Sequence, residues 1–216
     1  MDASTPQEAK KRPATRDAER TRGAILSAAT VEFTAQGFSG GSVNEVAARA
    51  GVNKRMIYHY FGNKEGLYLA VLEATYAGIR SAEYELDLSD LEPREAMRRL
   101  VTFTFDYFIE HPEFLSLLNT ENMHKAQHLK KSEKIRQMHS PLVGMIEEIL
   151  QRGERDGAFR SGVDPVQLYI SIAALGFFYL SNQHTLSTIF GRDLAAPPAL
   201  TDRREHTADV ILGYLR

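Results

Sequence analysis

Lys54, Arg55, Tyr58 and His59 gather two cations, a phenol and an imidazole within six residues, spaced to share the outer face of one helix. The chemistry open to such a face is recognition of nucleic acid. Arginine is the side chain best shaped for the O6 and N7 atoms of guanine, so Lys54 and Arg55 are expected at base edges. Tyr58 and His59 are shorter and are expected at phosphates or a thymine methyl. Ser42 and Lys64 stand where helices should begin, and free N–H groups and the helix dipole favour a phosphate there. With Asn53 at the start of the same helix, these seven residues form the expected DNA-contacting set.

Two short helices must position them. Val43, Val46, Ala47 and Ala50 fall at i, i+3, i+4 and i+7, one apolar stripe. Ser42 can cap that helix, and Glu45 three residues on would complete a capping box. Gly51 stops it, because a residue without Cβ turns left-handed at little cost. Asn53 can cap the next helix, whose Ile57 and Phe61 point inward. Two helices about so short a turn make a helix-turn-helix, with the recognition helix over about 54–60.

The ordered run Ser42, Val46, Ala47, Ala50, Gly51, Val52, Asn53, Ile57, Tyr58, Phe61, Lys64, Glu65 and Leu67 resembles the TetR family of transcriptional regulators. The resemblance covers about the first third of the chain. Asn53 replaces the family's usual serine cap, which changes little. Arg55 replaces a common glycine and adds a long cation at the DNA-facing edge, so base preference does not transfer from relatives. The resemblance implies an all-α fold: a three-helix DNA-binding domain, then a helical effector-binding and dimerisation domain. It also implies a repressor that leaves a palindromic operator on double-stranded DNA when a small organic effector binds.

Composition agrees with this reading. At 216 residues and 24.3 kDa, with 43% hydrophobic and 25% charged residues, the chain is an ordinary globular sequence. It contains no cysteine, so no disulfide framework or thiolate metal site is available. The longest apolar run, Ile172 to Leu180, is far short of the roughly 18 residues of a membrane span. The N-terminus lacks an apolar signal stretch, and a cytoplasmic location with no membrane partner is expected. Net charge is −2, but residues 1–65 hold ten Lys/Arg against seven Asp/Glu, while the remainder is acidic. That asymmetry suits a DNA-contacting head on a body that phosphate repels.

The chain divides into a flexible arm over 1–15, a DNA-binding domain over 16–62 and a body over 63–216. Lys10, Lys11 and Arg12 could touch DNA or simply belong to the arm. The first helix spans about Arg16 to Gln36 with Gly37 just past its end, and Phe38 is expected in the core beneath the motif helices. A fourth helix opens at Asn63–Lys64. Pro93 opens another that ends before Pro112, and a shorter one follows from Phe114. Residues 124–134 read as polar and bent, 135–155 as helix, and Asp164-Pro165 as the start of a helix to about Ile189. Residues 191–200 read as loop before a last amphipathic helix carrying Ala208, Ile211, Leu212 and Leu215. Tyr60 should pack between helices.

Ile172 to Leu180 is apolar on every side, and a helix hydrophobic all round must be covered all round. The body can cover one side. A second copy of the chain is expected on the other, with Ile172, Gly176, Leu180, Ile211 and Leu215 at the homodimer interface. The effector site implied by the resemblance would draw on Phe105, Phe108, Phe114, Asn119, Asn122, Tyr169, Phe178 and Asn182, aromatic walls with a few neutral polar groups. No cofactor is implied. His124 and His128 stand at i, i+4 but lack the glutamate of a His-Glu-x-x-His motif and lie in a polar segment, so no metal site is expected. A helical enzyme or a protein-binding adaptor is the alternative, although no nucleophile elbow, phosphate loop or dinucleotide fingerprint is present.

Overall fold

In the computed structural model the backbone is described for residues 8–216, and side chains for residues 17–138 and 141–216. Among the described residues there are nine α-helices, one short 3-10 turn and no strand. The helices are α1 (Glu8–Gly40), α2 (Val43–Ala50), α3 (Lys54–Phe61), α4 (Lys64–Tyr84), α5 (Pro93–Glu110), α6 (Pro112–Met123), α7 (Glu133–Arg155), α8 (Pro165–Phe190) and α9 (Pro197–Tyr214). No helix of the described residues is long and apolar enough to cross a membrane.

Helix ends fall largely where the sequence puts them. Gly37 breaks α1 with φ 64° and ψ −177°, so the regular helix stops at about Gln36. Pro93 and Pro165 each occupy a first turn, where the missing N–H costs nothing. Asp164 caps α8 by accepting from the Val166 and Gln167 amides at 2.8 and 3.0 Å.

Two ends differ from expectation. The supposed arm is helical from Glu8, where Glu-Ala-Lys-Lys favours helix. Residues 1–7, and the side chains of Lys10, Lys11 and Arg12, lie outside the described residues. The loop after α8 closes at Ala196, because Pro197 sits preset at the first position of α9.

Contacts divide the chain into two compact units. The first contains the described residues through Ala74 together with Ser116–Ser132. The second contains Thr75–Leu115 and Glu133–Arg216. The first unit is therefore larger than a domain ending at residue 62. It takes in the start of α4 and the later part of α6 with the segment after it.

In the first unit, Ile25, Ala29 and Phe33 of α1, Val46 and Ile57 of the motif helices and Leu67, Tyr68 and Val71 of α4 are all buried, and the Phe33 and Tyr68 rings meet edge to face at 5.1 Å. Within the 124–134 stretch, read as polar and bent, His128 and Ser132 are nonetheless buried. Glu121 and His128 are 1% and 3% exposed. The Glu121 carboxylate lies 2.8 Å from His128 Nδ1 and accepts the backbone N–H groups of His128 and Leu129 at 3.2 and 3.0 Å. One buried acid thus ties down a turn whose amides would otherwise lack partners. Tyr68 packs edge-on against His128, and burial together with the neighbouring Glu121 pushes its hydroxyl pKa up. Phe38 packs at a tilt against this pair, its ring centroid 4.3 Å from that of His128 and 5.1 Å from that of Tyr68. It therefore packs on α4 and the 116–132 segment.

The second unit is a helical body whose core joins α5, α7, α8 and α9, with Met97, Leu100, Val101, Ile146, Ile149, Leu168, Ile172, Ile211 and Leu215 nearly or wholly buried. Burying a side chain of this size contributes roughly 1.5–3 kcal/mol.

Candidate nucleic-acid interface and effector cavity

The helix-turn-helix is built from caps. Gly51 adopts φ 65° and ψ 31°, and the Val52 and Gly51 amides reach the carbonyls of Ala47 and Ala48. This double closure is the Schellman arrangement, and its left-handed residue is the one that favours glycine. Asn53 Oδ1 then accepts from the Arg55 amide at 2.9 Å and starts α3. Ser42 Oγ accepts from the Glu45 amide at 3.4 Å. The reciprocal half of the capping box does not form: the Ser42 N–H donates to Glu32 Oε1 at 2.9 Å instead. Glu32 of α1 is only 8% exposed, so the start of α2 is fixed to the first helix. Sequence reading missed Glu32, which lies ten residues upstream of the amide it binds.

Of the seven residues expected at DNA, Asn53, Lys54, Arg55, Tyr58 and His59 are exposed. Ile57 is fully buried and orients α3, and Phe61 carries the Arg22 guanidinium 5.3 Å above its ring. Lys54 Nζ rests 5.8 Å from the Tyr58 ring centroid, which leaves both at one surface. Tyr60 is half-buried, its ring 5.1 Å from His59. Ser42 is half-buried with its hydroxyl engaged in the cap. Lys64 folds back, its ammonium donating to the Ser39 carbonyl at 3.3 Å over the Phe38 ring. The structure thus assembles a cationic and aromatic face on α3, with Ser42 and Lys64 already tied to the protein.

The residues expected at an effector are only partly gathered. Phe108 and Phe114 stack at 5.6 Å, with Tyr76 edge-on to Phe114 and Phe105 buried nearby. Tyr169 lies under the Arg80 guanidinium and accepts from its Nη2 at 3.3 Å. Asn182 is committed to the Phe178 carbonyl at 2.8 Å, and Phe178 is 59% exposed. Asn119 and Asn122 belong to the first unit and are exposed.

None of these eight lines the half-open cavity of about 910 Å³ that lies in the second unit between residues 80–89 and α7. Arg80 and Glu83 line it. Their side chains are 9% and 2% exposed, with Nη1 and Oε2 3.0 Å apart. Burial pushes the Glu83 carboxyl up to about 7, outweighing the pull of Arg80. An Arg and a Glu at i, i+3 read as a solvated pair. The overlooked signal is phase, since Glu83 continues the inward positions Leu72, Tyr76 and Ile79 of α4.

Four of the five residues expected at the dimer interface face inward. Ile172, Ile211 and Leu215 belong to the body core, and a Cβ on Gly176 would lie 3.3 and 3.4 Å from Phe108 and Phe105. Leu180 is half-buried. The outward face of α8 carries Val166, Ile170, Phe178 and Ile189 instead, each at least 45% exposed, and α9 adds Val210 and Tyr214. Among the described residues, no three His, Cys, Asp or Glu converge as around a metal ion. His128 is held by Glu121, and His124 Nδ1 lies 2.9 Å from the Thr120 carbonyl.

Comparison with known proteins places this architecture. Residues 25–71 match the model of bacterial regulatory proteins of the tetR family, and residues 93–211 match the tetracyclin repressor-like C-terminal domain. The chain is 42% identical over 199 residues to the HTH-type transcriptional repressor NicS of Pseudomonas putida, covering 92% of this chain and 94% of that one. It is 35% identical over 126 residues to the transcriptional repressor SCO4008 of Streptomyces coelicolor, covering 58% of this chain and 62% of that one. Among solved structures, the transcriptional regulator SCO4942 of Streptomyces coelicolor superposes with TM-score 0.67 at 23% identity, over 90% of this chain and 98% of that one. A capped helix-turn-helix with a cationic α3 face, followed by a matching helical C-terminal domain, identifies the chain as a DNA-binding transcriptional regulator that belongs to the TetR family.

Proposed function

We propose that the chain is a repressor that binds a palindromic operator in the cytoplasm as a twofold dimer and leaves it when a small organic effector occupies the body. The observation that carries this reading is α3: a helix capped at both ends that exposes Lys54, Arg55, Tyr58 and His59 together. Bound over a promoter, such a dimer blocks transcription sterically. The effector works only if it binds the released state more tightly than the operator-bound one.

The second copy covers the outward face of α8 and α9, where Val166, Ile170, Phe178 and Ile189 recur nearly every fourth residue or a multiple of it. A groove of about 500 Å³ beside Phe178, Val210 and Tyr214 gives a partner helix somewhere to seat. The proposed DNA contacts are Lys54 and Arg55 at base edges, and Tyr58, His59, Asn53 and Ser42 at the backbone, with Lys64 joining once it releases Ser39. The boundary we propose between DNA-binding and regulatory parts follows the two compact units. Footprinting and gel shift on the intergenic DNA beside the gene test the proposal. A protected palindrome with half-site centres about 10 base pairs or a multiple apart is expected. No sequence-specific shift would favour a protein-binding adaptor.

A further inference from the structure

The wall of the cavity between residues 80–89 and α7 carries two buried groups that pair by charge without completing a hydrogen bond. Arg80 Nη1 stands 3.0 Å from Glu83 Oε2, yet Arg80 Nε and Nη1 and both Glu83 oxygens complete no hydrogen bond. Buried polar atoms are nearly always paired, so donors and acceptors left over at a cavity wall point to a guest. The Tyr169 hydroxyl faces Arg80 from α8 at 3.3 Å, and the Tyr107 hydroxyl pKa is raised by burial, then by Glu113 and Glu83.

Charge decides what the guest carries. A buried ion needs an opposite partner. With Glu83 protonated, Arg80 holds one uncompensated positive charge, and a guest anion brings the buried total to zero. A guest cation would leave an excess charge in either protonation state of Glu83. Burial disfavours the Glu83 charge and outweighs the opposing pull of Arg80, which leaves its carboxyl at about 7. Arg152, the other cation at the wall, is committed to the carbonyls of Leu88, Ser89 and Leu91. Glu85, Asp87 and Glu148 also line the space, but they are exposed to water. Met138, Pro141, Leu142, Met145 and Ile149 of α7 add an aliphatic stretch to the wall.

We propose that this cavity binds a small organic acid, with its carboxylate on the Arg80 guanidinium and an aliphatic body laid along α7. The volume of about 910 Å³ falls within the range of small-molecule sites. The inference rests on the reading of the chain as an effector-responsive regulator and gives that effector a chemical class.

Titration calorimetry on the full chain without DNA tests it, using octanoate, octanamide and octylamine as probes of one body and three head charges. Octanoate is expected to bind at one per chain, octanamide at least tenfold more weakly and octylamine more weakly still. Arg80→Gln alone strands a buried carboxyl and could unfold the body, so the double variant Arg80→Gln/Glu83→Gln removes both charges together. It should lose octanoate affinity at least tenfold and keep that for octanamide. Glu83→Gln alone should bind octanoate at least as tightly as the natural chain. Equal or tighter binding of the amide or amine, undiminished octanoate binding by the double variant, or no octanoate binding at millimolar concentration would each overturn the proposal. Operator binding, read separately by gel shift, shows whether the regulator reading stands when the acid fails.

Discussion

Arg55 is where one side chain has most to say about specificity. It is exposed, its own amide is held by the Asn53 cap, and the family pattern commonly has glycine there. Arg55→Ala should cost about 1–3 kcal/mol on the operator if it reads a base. Selection from random DNA should then show relaxed preference at one position in each half-site, whereas uniform weakening would make Arg55 a phosphate contact. Glu83 offers a second test. Its carboxyl is raised from 4.5 to about 7, so the folded chain holds that proton more tightly than the unfolded one. The stability it contributes is full below about pH 4.5 and is lost as pH rises through 7. Between pH 5 and 8 the natural chain should lose on the order of 2–3 kcal/mol relative to Glu83→Gln, read by urea unfolding at each pH. Parallel pH profiles would mean that Arg80 keeps Glu83 ionised throughout. Local signals such as the Asn53 cap were legible in sequence because donor and acceptor lie within a few residues. Glu32 on Ser42 and Glu121 on His128 were not, because only the fold sets those pairs.

At the scale of elements, α3 depends on what stands at its two ends. Asn53→Ala removes the side chain that accepts the Arg55 amide and should cost about 1 kcal/mol. The loss should appear in operator affinity as well as in melting temperature, since α3 presents the contacts. Past the other end, Gly66 lies so close to the chain that an added Cβ would sit 2.1 Å from the Phe61 carbonyl. Gly66→Ala should therefore shift the α3–α4 turn and lower operator affinity with the body intact by circular dichroism. Normal DNA binding by that variant would show that the turn has slack. The helices themselves were legible because apolar periodicity and proline or glycine stops mark them. The inward face of α8 was not. A helix apolar on every side has no phase, and Ile172 and Phe178 look alike until neighbouring helices choose between them.

For the whole molecule, the acidic body and basic head follow from composition, but which surface a second copy would cover follows from what the body already buries. Phe178 is 59% exposed, while Gly176 abuts Phe105 and Phe108. Phe178→Arg should leave the chain folded and convert dimer to monomer in light scattering, with operator affinity falling alongside. Gly176→Arg should instead lower ellipticity and melting temperature, because an unpaired charge would enter the body core. A folded Phe178→Arg variant that stays dimeric would move the interface off this face.

The unit that carries the helix-turn-helix is interrupted in the chain: Ser116–Ser132 returns to it after residues 75–115 have gone to the other. On the ribosome, the first 74 residues emerge without the strand of chain that supplies Glu121 and His128. They must wait until residue 132 has left the exit tunnel, several seconds later at about 5–20 residues per second. During that interval the surfaces of Phe38 and Tyr68 that pack on His128 lack their cover. A nascent regulator of this design completes the cover of its DNA-reading unit only after residues 75–115 of the other unit have emerged.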